Sequence, residues 1–537
     1  MAISRRKFLA TTVAGSAVAA AATTGLASAL RRSANVSLAA STAGDVVGKV
    51  TVGYQGWFAC IGDGAPINGW WHWSQNWGQP PSPSNNAIKA WPDMTVYGKS
   101  YKTAYANLGN GAPATLFSSY DQVTVDTHFK LMRQYGCDTA ALQRFNPNGG
   151  EGPTRDAVTA RVNTAAQAYG RKFHIMYDAS GWANMKTEMP ADWTAKMSAY
   201  TSSPAYAHQN GKPVVAIWGF GFNDANHPWS AADCLEVVNW FKSQGCYVIG
   251  GVPTYWRTGV NDSRSGYLGV YHAFNMLSPW MVGRIGTAAD SDRFYTNVNV
   301  GDQADCNTHG IDYQPCVLPG DLSARQRVHG DFMWRQFYNM VRVGAQGIYI
   351  SMFDEYGEGN QILHTAATTA GVPTGSGLLA LDEDGTACSS DYYMRLTNDG
   401  GSMLKGQIAL TATRPTAPVP KPAGGCGTLT ANQKITVGQS VQSCDGRFTL
   451  ILGSNGNLVL NQSGTALWTS NTAGKASANA IMQGDGNFVL YDTSGKPVWA
   501  SNTAGNAGAS LYVQNDGNVV IYSAGGAALW STGTAGH

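Results

Sequence analysis

Between about Asp45 and Thr411, short apolar runs alternate with longer stretches in which apolar residues recur every three or four positions. The short runs, at 50–54, 139–142, 173–177, 214–218, 247–251, 275–280, 313–318 and 348–353, read as β-strands. The longer stretches, among them 123–135, 155–169, 232–243 and 323–343, read as amphipathic helices. Eight strand-then-helix units predict a (β/α)8 barrel over residues 45–412. Pro279 and Pro315 interrupt the sixth and seventh runs, which are the weakest strands on this pattern.

The last run stops abruptly at three carboxylates, Asp354, Glu355 and Glu358. An apolar run of that length suits a strand buried on both faces, so the acids fall just past its C-terminal end, the edge where barrels carry their active sites. If Glu355 and Glu358 share one helical turn, their Cβ atoms lie about 5–6 Å apart. That would bring the carboxyl groups near the roughly 5–5.5 Å separation of retaining glycosidases. Gly357 and Gly359 fit an ordinary acidic turn equally well, so the pair alone does not decide the chemistry. The other strand ends add sugar-binding residue types to the same rim: Tyr54, Gln55, Trp57, Gln143, Arg144, Asp178, Trp218, Tyr255, Trp256, Trp280 and Arg284. Of these, Tyr54, Trp57, Gln143, Arg144, Asp178, Trp218, Trp280 and Arg284 are the candidate substrate-binding set.

Arg414 to Pro422 alternates proline with small residues and reads as a stiff linker, giving a boundary segment at 413–426. Beyond it, residues 427–537 repeat. Trp468, Trp499 and Trp530 stand 31 residues apart, which implies three β-units of one period and a three-fold arrangement. The second unit carries Gln483, Asp485, Asn487, Val489 and Tyr491, and the third carries Gln514, Asp516, Asn518, Val520 and Tyr522. Both spell Q-x-D-x-N-x-V-x-Y. On a strand the alternate polar residues would share a face and meet sugar hydroxyls, with valine against the ring. The first unit has Gly453, Asn455, Asn457, Val459 and Asn461 at these places and is expected to bind weakly or not at all.

A formal charge of +2 over 537 residues gives no sign of a nucleic-acid partner, and the 17 Trp and 24 Tyr supply flat faces for sugar rings. Ser4-Arg5-Arg6-Lys7-Phe8-Leu9, an alanine-rich run and Ala27-Ser28-Ala29 resemble a twin-arginine export signal at 1–29, followed by a linker at 30–44. That places the mature protein outside the cell, with no inserted membrane span. Nine cysteines cannot all pair; Cys306 with Cys316 and Cys426 with Cys444 are the candidate bridges. The absence of a CxxC zinc spacing, with His72, His174 and His272 scattered, indicates no metal, and no P-loop or Rossmann fingerprint indicates a cofactor.

Five segments together carry a resemblance: VGYQGWFACIGDG from Val52, GWWHWSQ from Gly69, ALQRF from Ala141, MLSPWMVGR from Met276 and MFDEYGEGNQI from Met352. Over most of residues 50–412 the chain resembles the glycoside hydrolase family 99-like (71/99-like) proteins. Family 99 endo-α-mannosidases read like N-E-W-H-E-G-T-Q-I where this chain has Asp354 to Ile362. The resemblance implies that Glu355 acts as base on the substrate's own 2-hydroxyl, forming a 1,2-anhydro sugar, and that Glu358 is the general acid and base. Asp354, Tyr356 and Gly357 depart from the pattern, so the substrate does not carry over with the glutamates. Residues 427–537 resemble the bulb-type mannose-binding lectins, which implies a three-fold β-prism. The combined expectation is a secreted, retaining hydrolase of an α-mannan-like polysaccharide, tethered to mannose-bearing glycans by its lectin module. The alternatives are a non-catalytic carbohydrate-binding protein, or a hydrolase of α-1,3-glucan, xylan or arabinan.

Overall fold

The computed structural model describes residues 41–419 and 427–537. The export signal, most of the N-terminal linker and Cys426 lie outside the described residues. The described residues form two compact units: one holds 41–106, 113–386 and 393–414, the other 107–112, 387–392, 415–419 and 427–537.

The first unit is built on a parallel, barrel-like sheet. Its strands are β1 (Val50–Tyr54), β2 (Thr139–Arg144), β3 (Lys172–Asp178), β4 (Lys212–Trp218), β5 (Tyr247–Val252), β6 (Met276–Pro279), β7 (Asp312–Tyr313), β8 (Cys316–Val317) and β9 (Ile348–Ile350). Neighbours run in the order β7-β6-β5-β4-β3-β2-β1-β9-β8. Every residue of β1, β2 and β5 is buried, which is why these strands read as continuous apolar runs rather than alternating ones. The run at 313–318 is two short strands instead of one. Pro315 has no N–H to give a ladder, and the segment changes partner there: Gln314 N donates to Leu277 O of β6 (2.8 Å), while Pro315 O accepts from Tyr349 N of β9 (3.1 Å). One segment therefore serves both edges of the sheet.

Helices α1 (Gln122–Gln134), α2 (Gly152–Tyr169), α3 (Met185–Asp192), α4 (Ala231–Ser243), α5 (Leu268–Tyr271), α6 (Ala288–Phe294), α7 (Val300–His309), α8 (Asp331–Val343) and α9 (Tyr392–Leu404) complete this unit's helical layer. Ser230 caps α4 by accepting from Asp233 N (3.1 Å), a local reason for the chain to start a helix there. The pattern predicted a helix from Ser323, but α8 begins only at Asp331. Arg325, His329 and Gly330 hold left-handed backbone angles that no helix tolerates. His174, Met176, Ala216, Ile249, Ser278 and Tyr349, from five strands, and Gln314, between β7 and β8, converge on one small cavity and so define the sheet's inner face. Cys306 is a buried free thiol on α7, so it does not pair with Cys316; by alternation from Gln314, Cys316 points to the inner face and away from the helices. Cys444 is disulfide-bonded.

The second unit contains three four-stranded antiparallel sheets. They are made of β10 (Thr428–Leu429), β19 (Ser510–Val513), β20 (Val519–Tyr522) and β21 (Ala528–Ser531); β11 (Lys434–Thr436), β16 (Ser477–Met482), β17 (Phe488–Asp492) and β18 (Pro497–Ala500); and β12 (Ser440–Gln442), β13 (Phe448–Leu452), β14 (Leu458–Gln462) and β15 (Thr465–Thr469). Each sheet joins one short strand from the unit's start to a three-stranded repeat. The periodic tryptophans meet: Trp468, Trp499 and Trp530 form a triangle of edge-on rings with centroids 5.5–5.6 Å apart. Leu450, Leu460, Ala480, Leu490, Leu511 and Ile521 fill a shared core. Among the described residues, no helix is long and apolar enough to cross a membrane.

Candidate active site

The chain leaving β9 makes a closed loop. Met352 N donates to Asn360 O (3.1 Å) and Ile362 N to Met352 O (3.0 Å), so residues 353–361 project from the strand's C-terminal end as one bounded turn. Glu355 and Glu358 lie in a turn outside any assigned helix: Asn360 N reaches five residues back to Glu355 O (3.2 Å), and Gly359 closes the turn at φ +73.

Asp354 and Glu355 grip the same residue of β1's exit in different ways. Asp354 Oδ1 accepts from Gln55 N (2.8 Å) and Oδ2 from Gly56 N (2.9 Å). Glu355 Oε2 accepts from Gln55 Nε2 (2.8 Å). Asp354 and Glu355 are both buried, at 0% and 3% exposed. Burial pushes the Asp354 carboxyl up to about 6 against the pull of its two amide donors. Glu358 is half-buried, and among the described residues no hydrogen bond or ion pair occupies its carboxylate. The loop thus presents two immobilised carboxyl groups, Asp354 and Glu355, and one open one, Glu358.

The loop's far end is held by a residue that sequence pattern did not single out. Arg327, 2% exposed, donates to the carbonyls of Gly320 (3.1 Å), Gly359 (2.9 Å) and Gln361 (2.8 Å) and packs over the Tyr393 ring. Lys89 N donates to Tyr356 O (2.9 Å), and the Lys89 ammonium pairs with Asp321 beside Gly359. A Cβ at Gly359 would sit 2.9 Å from Asp321 Oδ1, so glycine is needed there both for its backbone angle and for space.

Aromatic faces surround the loop exits. Trp57 stacks on His72 (centroids 3.7 Å, 14°) and on Phe145 (5.8 Å, 22°). His72 holds φ +60, and burial among rings, aided by Arg155, keeps its imidazole well below its usual range and so neutral at neutral pH. Phe58 stacks on Trp73 and meets Tyr356 of the acid loop. Trp218 and Trp280 meet edge-on at 5.5 Å. Asp178, 1% exposed, accepts from Ser180 N (3.0 Å), and Arg284 pairs with Asp262 (2.9 Å).

In the second unit, Gln483, Asp485 and Asn487 lie in the turn between β16 and β17, and only Val489 and Tyr491 are on a strand. Gln514, Asp516 and Asn518 repeat this before β20. The shared-face argument therefore fails for the first three motif residues of each repeat. Their polar groups converge by another route: Gln483 Nε2 donates to Tyr491 Oη (2.7 Å) and Gln514 Nε2 to Tyr522 Oη (3.1 Å). Asp485 accepts from Asn487 N and Asp516 from Asn518 N. The asparagine Oδ1 atoms accept from Ser501 and Thr503 in one repeat, and from Thr532 and Thr534 in the other. Asn457 makes the same bonds to Ser470 and Thr472, so this asparagine holds the turn in all three repeats. Val489 and Val520 are 3% and 4% exposed.

No protein-family model and no curated protein matches the chain. Solved structures do. A glycoside hydrolase family 99 endo-α-mannosidase from Bacteroides thetaiotaomicron is 15% identical, over 67% of this chain and 98% of that one, with a TM-score of 0.49. The Marasmius oreades lectin is 37% identical, over 21% of this chain and 97% of its own, with a TM-score of 0.20. The snowdrop (Galanthus nivalis) agglutinin, solved with methyl-α-D-mannoside, is 38% identical over 20% and 96%, with a TM-score of 0.18. The chain resembles a family 99 endo-α-mannosidase joined to a bulb-type lectin.

Within the first unit, Tyr54 and Arg144 are not at the strand-end rim. They sit on the alternate, helix-facing side of their strands. Tyr54 is 0% exposed and its hydroxyl meets His128 Nδ1 of α1 (2.9 Å). Arg144 is 1% exposed and is held by Asp192 of α3 and Asp156 of α2. Their inward neighbours are Gln55, the Glu355 partner, and Gln143, whose amide lies 3.7 Å from Met352 Sδ. Gln143, Asp178, Trp218 and Trp280 fall on the inner side of the strand ends, Trp57 on the aromatic wall and Arg284 on the loop after β6. Among the described residues, one set of potential metal ligands gathers, His272, Asp305 and His309, away from the acid loop.

Proposed function

We propose that the chain is a secreted, retaining glycoside hydrolase of an α-mannan-like polysaccharide, with a (β/α)8 catalytic barrel and a mannose-binding β-prism that tethers it to its substrate. The observation that supports this is the division of labour in the acid loop. Glu355 is fixed by Gln55 at the end of the last strand while Glu358, three residues on, is open to a ligand.

In this reading Glu355 Oε takes the proton of the sugar 2-hydroxyl while O2 closes on C1. The C1–O bond to the departing sugar breaks as Glu358 delivers its proton to that oxygen. Water then adds to C1, giving its proton to the Glu358 carboxylate, and the reopened O2 takes its proton back from Glu355. Two displacements at C1 leave the anomeric configuration unchanged. The Gln55 donor keeps an acceptor oxygen of Glu355 in one orientation, which suits a base that must meet one hydroxyl. Trp57, Trp218 and Trp280 supply faces for sugar rings.

The lectin-like unit would raise the local concentration of substrate through tethering, even with weak individual sites. Incubating the full chain with a panel of α-mannans, α-1,3-glucan, xylan and arabinan, with reducing-end detection, tests the reading. Release from α-mannan supports it. Release from another glycan alone corrects the substrate, and release from none leaves carbohydrate binding as the function.

A further inference from the structure

We propose that His272, Asp305 and His309 form a structural site for a borderline divalent cation of the Zn2+ class. His272 follows α5 and Asp305 and His309 lie one turn apart on α7, so a helix face presents two ligands and a neighbouring connection adds the third. His272 Nε2 is 2.7 Å and His309 Nδ1 is 3.1 Å from Asp305 Oδ1, and the two imidazoles stack with centroids 3.7 Å apart. Each residue can offer one ligand atom within 4.8 Å of the other two.

Two imidazoles and a carboxylate select a zinc-like ion over Ca2+ or Mg2+, which take mostly oxygen ligands. All three side chains are partly open, at 21%, 20% and 39% exposed, which gives an ion an entry path and leaves a coordination position for water. Outer contacts hold the ligands in place. The fully buried Trp256 ring packs edge-on against His272.

The position argues for a staple rather than for catalysis. His272 lies just before β6 and His309 just before β7, so the cluster sits at the strands' N-terminal ends, opposite the acid loop. Features at that face of a barrel serve stability. The ion would tie together the two connections that feed adjacent strands.

The test uses the full chain after EDTA treatment and dialysis. Isothermal titration with ZnCl2 at pH 7.5 should show one site, and differential scanning fluorimetry a Zn2+-dependent rise in Tm. His309→Ala and Asp305→Asn should each weaken binding at least tenfold and abolish that rise, with metal-free Tm values matching the metal-free parent for the more exposed His309→Ala. Unchanged Zn2+ affinity in both variants, or no binding by the parent up to about 100 µM, overturns the proposal. CoCl2 gives a reading on the parent alone: visible bands of a four- or five-coordinate site support it, and the weak bands of hydrated Co2+ overturn it.

Discussion

Asp354 sets two effects against each other, and the pH dependence of stability says which prevails. Its carboxylate accepts two backbone N–H groups, which favours the charged form, yet it is fully buried, which favours the neutral one. Burial wins and the folded group titrates at about 6, above an unfolded value of about 3.9. Below pH 4 both states hold the proton and the group contributes no pH dependence. Between pH 4 and 6 the folded state keeps a proton that the unfolded state has lost, so stability falls with rising pH, by about 1.4 kcal/mol per unit. The whole decline is about 3 kcal/mol, complete above pH 6. Asp354→Asn keeps the shape of the neutral acid and does not titrate. Urea unfolding of both proteins from pH 4 to pH 8 should therefore show the parent's advantage over the variant shrinking by about 3 kcal/mol as pH rises, with the lectin-like unit's transition unchanged between the two. A constant gap refutes the reasoning, and a gap that widens with pH means the amide donors outweigh burial.

Glu358→Gln should lower turnover on a natural glycan at least a hundredfold but spare an activated aryl glycoside, whose leaving group needs no proton; steady-state kinetics on both substrates decide it. Gly359→Ala should lower Tm and activity together, because its Cβ meets Asp321 Oδ1 at 2.9 Å. Gly375→Ala, at nearly the same backbone angle but with open space around it, should cost only the backbone strain of about 1–2 kcal/mol. Tyr491→Phe with Tyr522→Phe, which remove the Gln483 and Gln514 partners, should abolish mannose binding in glycan titrations and leave the fold intact, whereas Asn487→Ala should lower stability because its Oδ1 holds the turn. Trp468→Ala removes two edge-on ring pairs, about 1–3 kcal/mol in calorimetry of the second unit.

The strands were legible because a parallel sheet covered on both faces writes itself as unbroken apolar runs, and the Trp period announced three repeats before any contact was seen. What the pattern lacked was direction. Tyr54 and Gln55 are neighbours in sequence and face opposite ways in the sheet, so a substrate-binding set that took the aromatic chose the helix side and kept Gln55, the Glu355 partner, only among the rim residues. The strand-end list had the same fault at Arg144, one residue past Gln143. The Q-x-D-x-N motif looked like an alternating strand because period two is also the spacing of a turn in which each acceptor caps the amide two residues on, as Asp485 does for Asn487. Arg327 holds the loop through backbone carbonyls, which carry no sequence signal. His272 and His309 were invisible as a pair because the helix face that joins Asp305 to His309 is apparent locally, but its approach to α5 is not.

The central claim is that Glu355 and Glu358 break a glycosidic bond with retention. Proton NMR of the first product released from an α-mannan by the full chain, read before mutarotation, tests it most directly. The account predicts that the α-anomer appears first and that Glu355→Gln releases none. A β-anomer appearing first, or equal release by the variant, would contradict it.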